Sequence, residues 1–225
     1  MNSLLNAPPS LGCVLSLTGQ PGGGARLHDL SPYGNSGLIA GATWEKPEGG
    51  LWSLSFDGID DRVDCGNGGA LKLTGADTVM LWVKPANGSD AHVISKDGGS
   101  GDRGWYICLL ANLKIRAAVA ASATSLSYFD TDAALPAGRW HHIARTYDGK
   151  SINVYLDGVK QSGVQNGGVP PAQRDASASL TIGRRPGGDL PYSGRLALAG
   201  IYNRPLTALE IQRHFDAEKH IFGVW

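Results

Sequence analysis

The sequence predicts an all-β protein with a short C-terminal helix. Three observations carry that expectation. Glycine and proline are abundant, 32 and 12 in 225 residues, and they punctuate short apolar runs at the places where turns belong. Residues 138–158 read as a hairpin: two runs rich in β-branched and aromatic residues, 140–147 and 152–156, flank Asp148-Gly149, which tolerates the positive φ angles of a tight turn. Asp157-Gly158 stops the return strand. Thr207-Ala208-Leu209-Glu210 is a capping box, opening a helix that runs to about Ala217.

Size and composition narrow the rest. A chain of 225 residues fits one large all-β domain, and 42% hydrophobic residues supply a real core. Residues 1–12 read as an N-terminal arm, with Pro8-Pro9 blocking helix, and 13–225 as a single domain. Twenty basic and twenty acidic residues balance, so there is no electrostatic reason to expect nucleic acid or an anionic membrane as partner. Cys13, Cys65 and Cys108 are odd in number and far apart, which suits free thiols rather than a metal knuckle or disulfide framework. The first residues lack a basic region and an apolar run, so no signal peptide is expected, and nothing reaches the length of a membrane span. The expectation is folding in a reducing cytoplasm.

Taken in order, residues 14–17 form a first strand, ended by the glycine run at 19–24. That run lacks the Lys and Ser/Thr of a phosphate-binding loop. Residues 54–64 read as strand, Asp-Gly turn and strand. The nearly continuous apolar run 78–84, ending at Pro85, suits a central strand buried on both faces. Residues 92–96 are a further strand, and 104–110 and 113–119 pair across Ala111-Asn112. Residues 120–134, rich in Ala, Ser and Thr, read as irregular strand and loop. In the hairpin, adjacent apolar Ile143 and Ala144 place the first strand inside a sheet, whereas Ile152, Val154 and Leu156 alternate with Asn153 and Tyr155 as in a half-buried strand. The composition of 162–178 is that of a surface loop, 180–183 regains strand character, and 192–203 is the last long strand.

Several of these segments carry a family resemblance. The run Trp140-His141-His142-Ile143-Ala144, turning through Tyr147-Asp148-Gly149 into a strand ended by Asp157-Gly158, resembles the core signature of laminin G-like domains, the concanavalin A-like jelly rolls. Asp29, Ser31, Asn35 and Gly37, the stretch from Leu54 through Phe56-Asp57-Gly58 and Asp60-Asp61 to Val63, and Leu180-Thr181-Ile182-Gly183 match further motifs in family order. One departure stands out: the family's Asp pair in the last strand has become Ala197 and a shifted Leu198-Ala199-Gly200. The resemblance implies a fold, a two-sheet antiparallel jelly-roll sandwich with the short helix at its C-terminal end, and a fold does not fix function.

The chemistry follows from what is present. Jelly-roll glycanases of this superfamily would need a Glu-x-Asp-x-x-Glu strand carrying two carboxylates about 5 Å apart. No such strand occurs, and no catalytic residue is expected. His141 and His142, adjacent in a strand, point to opposite faces and cannot easily share an ion, so their expected role is structural. Calcium is the expected cofactor if there is one: Asp29, Asn35, Asp57 and Asp60 offer hard oxygens on loops that the family gathers at the sandwich rim. The same residues also suit Asx turns, and the missing Asp pair weighs toward those. For ligands, the candidates are Trp105 and Tyr106 beside Asp102, Tyr128 and Phe129 beside Asp130, and Tyr192 beside Asp189, because pyranose faces are apolar and their hydroxyls need polar neighbours. The expected function is non-enzymatic: an adhesive or decorating component of a larger assembly such as a virus or phage particle, displayed there after cytoplasmic folding. The alternative is a carbohydrate-binding, lectin-like module. The partner is then a protein assembly or a glycan, and homo-oligomerisation stays open.

Overall fold

The computed structural model describes residues 11–19, 23–46 and 51–224. Most of the expected arm, the centre of the glycine run and Glu48 lie outside the described residues. The chain opens with β1 (Cys13–Leu17), β2 (Arg26–Leu27), β3 (Gly37–Ala40), β4 (Thr43–Glu45), β5 (Ser53–Asp57) and β6 (Arg62–Asp64). It continues through β7 (Asp77–Pro85), β8 (Ala91–Ser95), β9 (Tyr106–Leu109), β10 (Lys114–Ala120), β11 (Leu126–Ala134), β12 (His141–Tyr147) and β13 (Ile152–Leu156). Then come β14 (Val159–Lys160), β15 (Gly163–Asn166), β16 (Thr181–Ile182), β17 (Ser193–Tyr202) and α1 (Ala208–Glu218).

These strands build two antiparallel sheets. The eight-stranded sheet runs β14-β13-β12-β7-β17-β5-β4, with β1 also paired to β17; the nine-stranded sheet runs β15-β11-β10-β9-β8-β16-β6-β3-β2. Strand β17 serves two neighbours on one edge because it is long and bulged. Residues 193–196 pair with β5, the register shifts between Ala197 and Gly200 where Leu198 takes φ 45°, and residues 199–202 pair with β1.

Between the sheets lies the main core, including Leu15, Val63, Leu81, Val93, Ile107, Ile143, Val154 and Ile201. Each such side chain contributes about 1.5–3 kcal/mol by leaving water. Strand β12 is buried along its whole length between β7 and β13, as its adjacent apolar residues imply. Strand β13 is not half-buried as its alternation suggests: Tyr155 on its outer face is covered in a cluster with Met80, Tyr202 and Ile211 of α1. The helix begins as expected, with Thr207 Oγ1 accepting from the Glu210 amide and Glu210 Oε2 accepting from the Thr207 amide at 2.8 Å.

Two segments differ from their sequence reading. Residues 126–134 form one regular nine-residue strand, β11, where the sequence reads as irregular strand and loop, because pairing with β10 and β15 on its two edges carries it through Asp130, Thr131 and Asp132. The stretch 162–178 contributes β15, and its second half is a strap anchored by buried charges. Arg145 and Asp77, both fully buried, form an ion pair, and Gln173 donates from Nε2 to the other Asp77 oxygen. Lys96, also fully buried, donates to Asp175 Oδ1 and to the Ala176 carbonyl, each at 2.6 Å. Such charges are retained only when paired and hydrogen-bonded, so the strap completes them.

Candidate functional site

The register of the nine-stranded sheet places a continuous row of side chains on its outer face. Thr181 pairs with Ser95, Ser95 with Tyr106, Tyr106 with Ala118, Ala118 with Tyr128, and Tyr128 with Asn166. Directly opposed residues share a face, so these six form one line across the strands. A second row, two residues along, joins His92, Cys108, Arg116, Asp130 and Val164. The rows are buried through Ser95, Thr181, His92, Tyr106, Cys108 and Ala118 and open only at one end, where Tyr128 and Asn166 are half-buried and Val164 is exposed.

The face combines apolar and planar polar surface. Tyr106, Cys108 and Ala118 cluster, with Leu110, Leu126 and Tyr128 packed against them. Arg116 meets Asp130 through two parallel bonds, Nε to Oδ1 and Nη2 to Oδ2, both 2.7 Å, and its guanidinium carbon lies 4.1 Å from the Tyr128 ring centre. The His92 ring lies tilted against Tyr106, ring centres 4.3 Å apart, and its Nδ1 has no hydrogen-bond partner. Burial, reinforced by Arg185 and Arg103, depresses the His92 pKa to about 3; burial pushes the Cys108 thiol up to about 12 and raises the Tyr106 phenol. At neutral pH these three are uncharged, and the Arg116–Asp130 pair supplies matched charge.

The expected ligand residues therefore separate. Tyr106 and Tyr128 stand on this face. Trp105, next to Tyr106, points the other way into the core and is 1% exposed, with Arg145 stacked 5.2 Å from its ring, because neighbouring strand residues alternate. Phe129 likewise packs against the core. Tyr192 is in the core too, edge-on to Phe56, its hydroxyl donating to the Arg195 carbonyl, so neither Trp105 nor Tyr192 offers a surface platform. Asp102 serves the strap: burial raises its pKa, but bonds from Ser177, Arg174 and Ala178 outweigh that and hold it at about 2. Asp189 pairs with Arg185 at 3.2 Å. Arg116 and His92 were not legible as site residues, since only strand register brings them beside the tyrosines.

The expected metal residues fall into two places. Asp29 Oδ1 accepts from the amides of Ser16 and Ser31, and Oδ2 from Ser31 Oγ and the Asn35 amide, at 2.7–2.9 Å. Asn35 Nδ2 donates to the Val14 carbonyl. This pair holds a loop against β1. Asp57 and Asp60 meet at the β5–β6 turn with Asp61, a residue the sequence reading passed over; one oxygen from each lies within 4.8 Å of the others. Asp61 is buried and accepts from the Asp57 amide, and burial, with the Asp57 and Asp60 charges adding, raises its pKa. A hard-oxygen set of this kind fits calcium chemistry. His141 and His142 serve the hairpin, as their alternation implies: His141 Nδ1 lies 2.8 Å from Asp157 Oδ2, and the His142 amide donates to Asp157 Oδ1.

A lectin-like sandwich with an aromatic and polar sheet face is the class that fold and geometry define. The sequence profile of the concanavalin A-like lectin/glucanases superfamily matches residues 57–212, and the chain belongs to that superfamily. No curated protein matches the sequence. Among solved structures, the binding domain of Paraclostridial Mosquitocidal Protein 1 superposes with TM-score 0.74 at 14% identity, over 95% of this chain and 55% of that one. The receptor binding domain of botulinum neurotoxin C/D mosaic serotype does so with TM-score 0.70 at 13% identity, over 92% and 51%. Domain 4 of AbnA, an extracellular arabinanase from Geobacillus stearothermophilus solved with arabinotriose, gives 0.65 at 20%, over 89% and 97%. The chain thus spans about half of each toxin domain, and these likenesses concern the fold. Among the described residues, no helix is long and apolar enough to cross a membrane.

Proposed function

We propose that the chain is a non-catalytic recognition module that binds a neutral glycan on the outer face of its nine-stranded sheet. The observation that carries this reading is half-buried Tyr128 at the open end of the row, with Arg116 over its ring and held there by the bidentate pair with Asp130. Apolar and aromatic surface suits a pyranose face, and a planar charge pair with unused donors and acceptors suits its hydroxyls. The matched charges of Arg116 and Asp130 at the open end favour an uncharged sugar. The arabinotriose-bound neighbour and the toxin binding domains support a binding role for this architecture.

A non-catalytic role is supported by the described glutamates, each engaged elsewhere: Glu45 with Arg195, Glu210 with Thr207 and Arg204, and Glu218 with Trp82. A glycan array of the purified protein tests the proposal. Wild type binds a defined set of neutral oligosaccharides, and Tyr128→Ala weakens that binding about tenfold or more, about 1.4 kcal/mol. A second reading, a component of a larger assembly such as a virus or phage particle, draws on exposed apolar Leu30, Tyr33 and Leu38, each more than half accessible. A silent array together with co-purification in a particle selects it over the glycan.

A further inference from the structure

We propose that the C-terminal segment from His214 to Phe222 is an acid-released latch on the outer face of the eight-stranded sheet, with His142 as its trigger. His142 and Trp82 are directly paired on β12 and β7, and both point outward beneath the segment. Their ring centres lie 5.4 Å apart. Phe215 of α1 covers both, 5.8 Å from Trp82 and 6.3 Å from His142, and Phe222 stacks on Trp82 at 4.2 Å. His142 is 1% exposed, and neither ring nitrogen has a hydrogen-bond partner.

A neutral imidazole tolerates that apolar enclosure better than an imidazolium, which has two N–H donors to satisfy and a charge to solvate. The charged and titratable groups around it are Glu218 and His214 from α1, Asp157 from the turn after β13, and His141 beside it on β12. None of their side chains hydrogen-bonds the His142 ring. The Glu218 carboxylate is committed to Trp82 Nε1 at 2.6 Å, and Asp157 to His141 and to the His142 amide. Burial dominates at His142: it outweighs the Glu218 and Asp157 charges, which favour the imidazolium, and His214 adds to it. An arriving proton is therefore accommodated by lifting the cover.

The first turn of α1 has its own anchor. Thr207 and Glu210 form the capping box, Arg204 pairs with Glu210 at 2.6 Å, and Ile211 is fully buried. The hinge lies between that anchor and Phe215. Release uncovers Trp82 and Trp140, now 0% and 7% exposed, and so creates an aromatic surface in acid that is absent at neutral pH.

Hydrogen exchange by mass spectrometry at pH 7.5 and 5.0, corrected for intrinsic rates, tests the latch. Burial lowers the His142 pKa from 6.5 to about 4, so the opening constant of residues 214–224 is expected to rise about 30-fold at pH 5.0 while β10 stays protected. The His142→Phe variant, which keeps an aromatic ring under Phe215, is expected to abolish the rise; His214→Gln is expected to retain it. The proposal is overturned if wild-type exchange of this segment is pH-independent, if the segment opens no more readily than β10 at pH 5.0, or if His142→Phe keeps the full rise.

Discussion

Cutting one side of the buried Asp77–Arg145 pair should be among the most damaging single changes in the molecule. Neither side chain is exposed at all, and the Asp77 carboxylate also accepts from Gln173, which ties the strap to β7. In Asp77→Ala the Arg145 guanidinium keeps a bond to the Ala118 carbonyl and its contact with Trp105, but loses its counterion inside the core. An uncompensated charge at such depth costs about 3–5 kcal/mol. For a domain of this size, at about 2–4 °C per kcal/mol, the melting temperature should fall by about 6–20 °C. Urea unfolding followed by circular dichroism measures it, and an unchanged m-value would show that the change lies in the native contacts. The double variant Asp77→Leu/Arg145→Met removes both charges and should recover most of the loss. A loss below about 1 kcal/mol in Asp77→Ala would refute the reasoning, because it would mean that Arg145 finds solvent or another partner.

Other expectations follow from the same contacts. The folded-state pKa of His92 is depressed from 6.5 to about 3, so the neutral form is the one folding favours. Its contribution is fully present above pH 6.5 and falls as the unfolded state takes up its proton, by about 2 kcal/mol at pH 5, and His92→Leu should remove that part of the acid loss while leaving the part due to His142. Burial raises the pKa of all three cysteines, so a thiol reagent should modify none of them at pH 8 until the protein is denatured, when three react. If the Asp57–Asp60–Asp61 group takes up calcium, adding the ion should raise the melting temperature and EDTA should reverse the rise, with Asp60→Asn abolishing both; a melting temperature indifferent to either addition removes calcium from the account.

How far the sequence could be read depended on how local each signal was. The β12–β13 hairpin was legible because its alternation, its Asp148-Gly149 turn and its family motif all lie within about twenty residues. The capping box of α1 was legible for the same reason. The strap at 170–178 was not, because what orders it is distant: Lys96 is 79 residues from Asp175, and Gln173 is 96 from Asp77. Strand β11 was hidden by serine, threonine and alanine, which pairing on two edges overrode. At the candidate site, Trp105 and Tyr106 were equivalent as aromatics. Which faces outward is decided by sheet register, and register also carries Arg116 to Tyr128 and Asp130.

The central claim is that the outer face of the nine-stranded sheet recognises a glycan. Titrating isotope-labelled protein with the best neutral oligosaccharide from the array, and following amide shifts, tests it most directly. The account predicts saturable shifts concentrated at Tyr106, Arg116, Ala118, Tyr128 and Asp130, and lost in Arg116→Ala. Saturable shifts confined to the β5–β6 turn or to the loops around Leu30 and Tyr33 would contradict it.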